Sequence, residues 1–226
     1  MRFAILACVG LSVGTSPLRA DTYEQRLATQ ASQLQASLNK RCPARAREIA
    51  QLATTMTAAD RTRTLARLAP CGTSDPLYHQ TMGDAYLATN ELQRAEASFR
   101  KALALGVTEA NQAGLLMALV RQPKLTAAQQ AEVRKHVHYF KTRGCTRDDL
   151  CTSLAYVGWH LEDTALTRSA ADAAIALGFS SWQPFFFGGM AHAIEPRADR
   201  AKARRLLLEA KKRGAPPEVD ELLQEL

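Results

Sequence analysis

The 226-residue chain carries ten side chains able to do nucleophilic, acid–base or soft-metal chemistry near neutral pH: five cysteines and five histidines. The cysteines are Cys8, Cys42, Cys71, Cys145 and Cys151, and the histidines His79, His136, His138, His160 and His192. Zinc sites need ligands in close pairs, and no C-x-x-C occurs. His136 and His138 are two residues apart, which on a helix points them to different faces. Glu132 and His136 share a face, an arrangement more often a solvated pair than part of a ligand set. No H-E-x-x-H, G-x-S-x-G, phosphate loop or dinucleotide fingerprint is present. A cysteine beside a histidine attacks only as a thiolate, and in an oxidising compartment it is bridged instead. The expectation is a protein without a catalytic site, metal or cofactor.

The compartment follows from the first twenty residues. Arg2 is a short positive lead, Phe3 to Val13 is an eleven-residue apolar stretch, and Ser16-Pro17-Leu18-Arg19-Ala20 offers a break and a small residue. This pattern predicts a signal peptide over residues 1–20 and a periplasmic or secreted protein. Eleven apolar residues are too few to cross a membrane, and no second run of spanning length follows, so no membrane span is expected. The net charge of +7 falls to +5 once Arg2 and Arg19 are removed. An exported protein does not meet chromosomal DNA, so the basic balance points away from nucleic acid and toward an anionic envelope component or acidic proteins. Four cysteines remain after residue 20, an even number that predicts two disulfides with three possible pairings.

These side chains must be positioned by helices. The chain holds 40 alanines and 29 leucines, with aromatics at 6%, a composition that favours helix and argues against a β-sandwich or barrel. Gly72, Gly106, Gly144, Gly178 and Gly214 recur at spacings of 34, 38, 34 and 36, each after a helix-like run such as RKALALG or LEAKKRG. Glycine just past a helix end adopts the left-handed conformation that closes the last turn. A helix stop at this period predicts a repeated helical hairpin. Ahead of it, residues 21–40 form one amphipathic helix with Leu27, Ala31, Leu34 and Leu38 on a face.

The best copy, 76–109, places Met82 and Gly83 together, Tyr86 three residues on, then Ala95, Phe99 and Ala102, with His79 at the fourth position. This spacing resembles the tetratricopeptide repeat (TPR), a 34-residue antiparallel helix pair. Residues 183–217 carry Phe187, Met190, Ala191, Ile194, Ala203, Leu207 and Ala210 at equivalent positions. Residues 148–181 carry Leu154, Ala155, Ala171 and Ala174, with Gly158 where an aromatic is wanted. Residues 110–147 hold about four extra residues near Pro123, and 43–72 make a shorter hairpin. The resemblance implies an all-α fold, an α-solenoid of stacked antiparallel hairpins over residues 41–217, closed by an acidic tail at 218–226.

On that hairpin picture Cys42 precedes the first helix of a pair and Cys71 follows the second, so a Cys42–Cys71 bond staples the open end. Cys145 and Cys151 flank the turn between two repeats and pair with each other. In TPR-like proteins one face of each first helix lines a concave groove that receives a peptide or partner helix. Carried over, the groove takes Gln80, Asp84 and Leu87 from one copy and Asn111 and Arg121 from the next. Thr152, Tyr156, Trp159 and His160 follow, then Phe185, His192 and Glu195. Trp159, Tyr156 and Phe185 are the stronger groove candidates, and Phe187 belongs to the core. Phe179, Trp182, Phe185, Phe186 and Phe187 are also open to the reading that they simply fill the core.

Arg197 to Arg213 holds eight basic residues against Asp199 and Glu209, followed by Glu218, Asp220, Glu221 and Glu225. That is either an anion-docking face or a solvated terminal helix with the acidic tail folded over it, and a repeat array needs a polar end. The sequence thus predicts a non-catalytic exported scaffold or assembly factor that binds a protein or peptide partner. An anion-binding envelope module on the basic helix is the alternative, and an envelope-polymer enzyme around His160 and His192 the more distant one.

Overall fold

The computed structural model describes residues 20–52, 57–194 and 199–226; the expected signal peptide lies, but for Ala20, outside the described residues, as does Glu195. Thirteen α-helices and no strand occur among the described residues. Helix α1 spans Ala20–Arg41. A 3-10 turn at Pro43–Arg45 leads into α2 (Ala46–Gln51), α3 (Ala58–Arg67) and the short α4 (Ala69–Gly72). There follow α5 (Pro76–Ala88), α6 (Leu92–Leu105), α7 (Glu109–Val120), α8 (Ala127–Arg143), α9 (Asp148–His160), α10 (Thr164–Ala176), α11 (Gln183–Ile194), α12 (Arg200–Lys212) and α13 (Glu218–Glu225).

The starts are set by side-chain caps. Thr57, Asp75, Thr108, Asp163 and Asp199 each accept from a backbone N–H two or three residues on, which satisfies one of the orphan donors of a first turn. Thr126 and Gln129 form a reciprocal capping box at α8, so the extra residues near Pro123 are a connection ending in a defined helix start. At the other ends, Gly144, Gly178 and Gly214 stand at φ 72°, 85° and 83°, as expected of helix stops. Gly106 does not: its φ of −175° is extended. Gly72 is the last residue of α4, and an added Cβ there would fall 2.3 Å from the Tyr78 ring, so close packing explains this glycine.

Packing runs between neighbours. Helices α5, α6 and α7 pack in succession, as do α9, α10, α11 and α12, and α5–α7, α7–α9 and α9–α11 also touch. Phe99 on α6 is buried between two glycines: an added Cβ at Gly83 would lie 2.7 Å from its ring, and one at Gly114 2.3 Å. A related approach occurs between α10 and α11, where a Cβ added at Gly188 would lie 3.3 Å from Ala171, 72 residues after Phe99. The turns repeat, with Asn90 at φ 62° and Glu162 at φ 56°. Helix α8 departs from the pattern. It packs chiefly on α7, burying only the stripe Val133, Val137 and Phe140. Polar ties hold it at both ends: Glu96 accepts from Gln122 (2.5 Å) and Gln129 (3.1 Å) and pairs with Arg100, which also pairs with Glu132 at 2.5 Å, and Lys141 pairs with Asp163.

Two apolar clusters share α5. Leu34, Leu38, Ile49, Leu65, Tyr78 and Met82 form the first; Leu87, Phe99, Leu116, Leu154, Phe187 and Leu207 belong to the second. Tyr86 packs against both. The disulfides are Cys42–Cys71 and Cys145–Cys151, the pairings expected from a helical hairpin.

Candidate functional site

Tyr156 and His160 stand one turn apart on α9, so their rings lie over each other, centroids 4.3 Å apart. Behind them a run of edge-on rings leads into the core: Tyr156 to Phe187 at 5.8 Å, Phe187 to Phe186 at 5.5 Å and Phe186 to Trp182 at 5.8 Å. Edge-to-face pairs at these spacings hold one another in orientation. Phe187 is 1% exposed, as its packing position implied. Tyr156 and Trp159 are half-buried and His160 is exposed, so the outer end of this run meets solvent.

Arg121, at the end of α7, closes the neighbouring side. It donates to the Leu87 carbonyl at 3.1 Å and to Asn90 Oδ1 at 2.9 Å, tying the end of α5 to the end of α7. Although its edge is open to solvent, the protein crowded behind the His160 ring partly desolvates it, and this first, with the repulsion of a second cation by the Arg121 guanidinium second, holds the imidazole below its ordinary range. The result is a ledge of the Tyr156 ring and a neutral imidazole beside a fixed positive charge, with half-buried Trp159 the residue before His160 on the same helix. Asn90 was not singled out from sequence. Its signal is the T-N-E turn between two helices, where Asn is the residue best suited to positive φ.

The other expected groove residues do not join this ledge. Gln80 is half-buried on α5. Asp84 is 1% exposed and accepts from Gln30 Nε2 at 2.8 Å, so α1 covers that part of α5. Phe185 is buried with the Arg213 guanidinium 4.3 Å above its ring, itself fixed by Glu209 (2.8 Å) and the Ser180 carbonyl (2.6 Å). His192 is 7% exposed, its Nε2 4.0 Å from Asp172 on α10, and Asp172 also takes Lys202 of α12 at 3.2 Å. His192 thus faces α10 and α12, as Gly188 one turn before it does. The physical reason is common to these cases: the carried-over face of α5 is covered by α1, and that of α11 by α10 and by α12 with its terminal Arg213. Thr152, Asn111 and Leu87 are buried as well.

No acid–base pair forms at the ledge, and among the described residues no group of three His, Cys, Asp or Glu is placed to hold a metal ion. Glu132 is engaged by Arg100, and half-buried His136 is held below its ordinary range by desolvation first. The basic terminal helix is largely paired within the chain: Lys202 with Asp172, Lys211 with Asp220 (2.6 Å), and Lys212 and Arg213 with Glu209. No helix of the described residues is long and apolar enough to cross a membrane. Comparison with protein-family models, curated proteins and solved structures finds no match.

Proposed function

We propose that the chain is a non-catalytic, exported, TPR-like scaffold that binds a protein or peptide partner on the ledge formed by Tyr156, Trp159 and His160 beside Arg121. The observation that carries this reading is the ledge itself. Partly open aromatic rings are backed by a buried ring stack and flanked by a cation whose position is fixed by two hydrogen bonds. Such anchors supply large contact area with little side-chain freedom to lose, which is the character of binding hot spots. The close glycine approaches at Phe99 and Ala171 and the paired turns at Asn90 and Glu162 support a stacked-hairpin frame. Two disulfides support an oxidising compartment.

The test is capture from an envelope extract by the tagged chain, with partners identified by mass spectrometry. Trp159→Ala and Tyr156→Ala should each weaken capture of a specific partner by about 2 kcal/mol or more while the circular dichroism stays native. Undiminished capture by both variants removes the ledge as the binding site.

A further inference from the structure

Helix α8 leaves most of its circumference outside the protein, because it rests chiefly on α7 and buries only Val133, Val137 and Phe140. At about 100° per residue, Lys135, His138 and Thr142 stand opposite that stripe, with Arg134 and Arg143 on the two flanks, and each of them is exposed. Charge on this face is one-sided. The helix carries Arg134, Lys135, Lys141 and Arg143 against a single acid, Glu132, which Arg100 engages at 2.5 Å. Lys141 is held by Asp163, the N-cap of α10. Among the described residues no carboxylate pairs with Arg134 or Lys135. Arg143 donates to the Tyr139 hydroxyl at 2.9 Å, a neutral partner that leaves its charge uncompensated, and Glu109 is the smallest of the influences on it.

Such a face attracts anions, and its chemistry decides which. Protein interfaces centre on apolar side chains and are depleted in lysine. This face has no such centre. The exposed large apolar side chains of the described residues, Leu105, Val107, Leu177, Ile194 and Leu208, all lie on other segments, and the Arg143 guanidinium sits over the Tyr139 ring at 5.4 Å. From Arg134 to Arg143 the helix runs about 14 Å, a span that several neighbouring lipid headgroups cover and a single bound anion does not. We propose that the outer face of α8 docks the protein on a membrane surface of anionic phospholipid. Arg134, Lys135 and Arg143 meet the headgroup phosphates, with His138 and Thr142 between them. The apolar stripe of α8 stays packed inside the protein, so the helix does not insert. The attraction is electrostatic and is screened by salt.

Co-flotation with vesicles of phosphatidylglycerol in phosphatidylcholine tests this, on the chain lacking residues 1–20, whose apolar stretch would itself enter a bilayer. Binding should rise with the phosphatidylglycerol fraction, be absent on phosphatidylcholine alone, and disappear between about 0.05 M and about 0.5 M salt. Arg134→Glu combined with Lys135→Glu should weaken partitioning about tenfold or more. Arg134→Gln with Lys135→Gln, the milder pair, should lower it in the same direction by less. Arg200→Glu with Arg205→Glu changes the net charge as much as the first pair, at two exposed positions of α12. It should weaken partitioning far less, which separates a local face from overall charge. No affinity for the anionic vesicles overturns the proposal. So does affinity that survives high salt, or that both α8 pairs leave unchanged with native circular dichroism. A larger loss from the α12 pair than from the α8 pairs moves the contact to the terminal helix and overturns it too.

Discussion

Cε1 of Phe99 lies 2.3 Å from the point where a methyl group on Gly114 would sit. No heavy atoms approach that closely without displacement, and the ring is fully enclosed, so it has nowhere to go.

Gly114→Ala therefore sets a helix-propensity gain of about 1 kcal/mol against overpacking of roughly 1–3 kcal/mol or more, and the overpacking wins. Urea denaturation should show a net loss of stability for Gly114→Ala and for Gly83→Ala. Gly106→Ala is the control: its backbone is extended and the nearest atom is an ordinary 3.8 Å away, so the midpoint should hardly move.

The two disulfides should differ in worth. Cys42–Cys71 closes a separation of 29 residues and Cys145–Cys151 one of 6. Chain entropy then favours the first, at roughly 3–4 kcal/mol against about 2 for the second. Paired Cys→Ser variants compared by denaturant titration check the order; equal losses would contradict it.

Burial alone would raise the Glu96 carboxyl, but the Gln122 and Gln129 amides and Arg100 outweigh it and hold the group below its ordinary 4.5. A carboxyl depressed on folding stabilises above its unfolded value and loses that contribution as pH falls through the folded value. Thermal melts from pH 6 to pH 3 should drop in the native chain below about pH 4.5 and drop less in Glu96→Gln. Glu96→Ala, which strips two half-buried amides of their acceptor, should cost about 1–3 kcal/mol at pH 7.

His160 should titrate below 6.5, followed by its imidazole proton resonances. Since a depressed histidine disfavours the protonated folded state, stability falls as pH drops below 6.5. Arg121→Gln should move the midpoint up but not to the free value, because desolvation is the larger cause. A midpoint unmoved by Arg121→Gln would show that the guanidinium does not reach the ring.

What could be read from the chain was what depends on neighbours in sequence. Gly144, Gly178 and Gly214 are legible as stops because a left-handed residue closes its own helix, and the cysteine pairs because a hairpin brings its ends together. Gly106 departs from the expectation because its backbone is extended, with only an ordinary 3.8 Å approach to Pro76, and Gly72 because a tyrosine lies on it. The ledge was half legible. Tyr156 and His160 are one turn apart and meet as the spacing requires, whereas Asp84 and His192 depend on which helix packs behind them. Asp84 meets Gln30, 54 residues away, and no repeat pattern encodes that encounter.

Past residue 20, each cross-link joins cysteines that are next to one another in chain order. On the export proposed above, a chain oxidised as it leaves a narrow channel, amino end first, presents Cys42 and Cys71 long before a third thiol arrives to compete. Cys145 and Cys151 then emerge almost together. Order of arrival selects the right partners, so a catalyst that merely inserts disulfides is sufficient, where interleaved pairs would demand one that also reshuffles them.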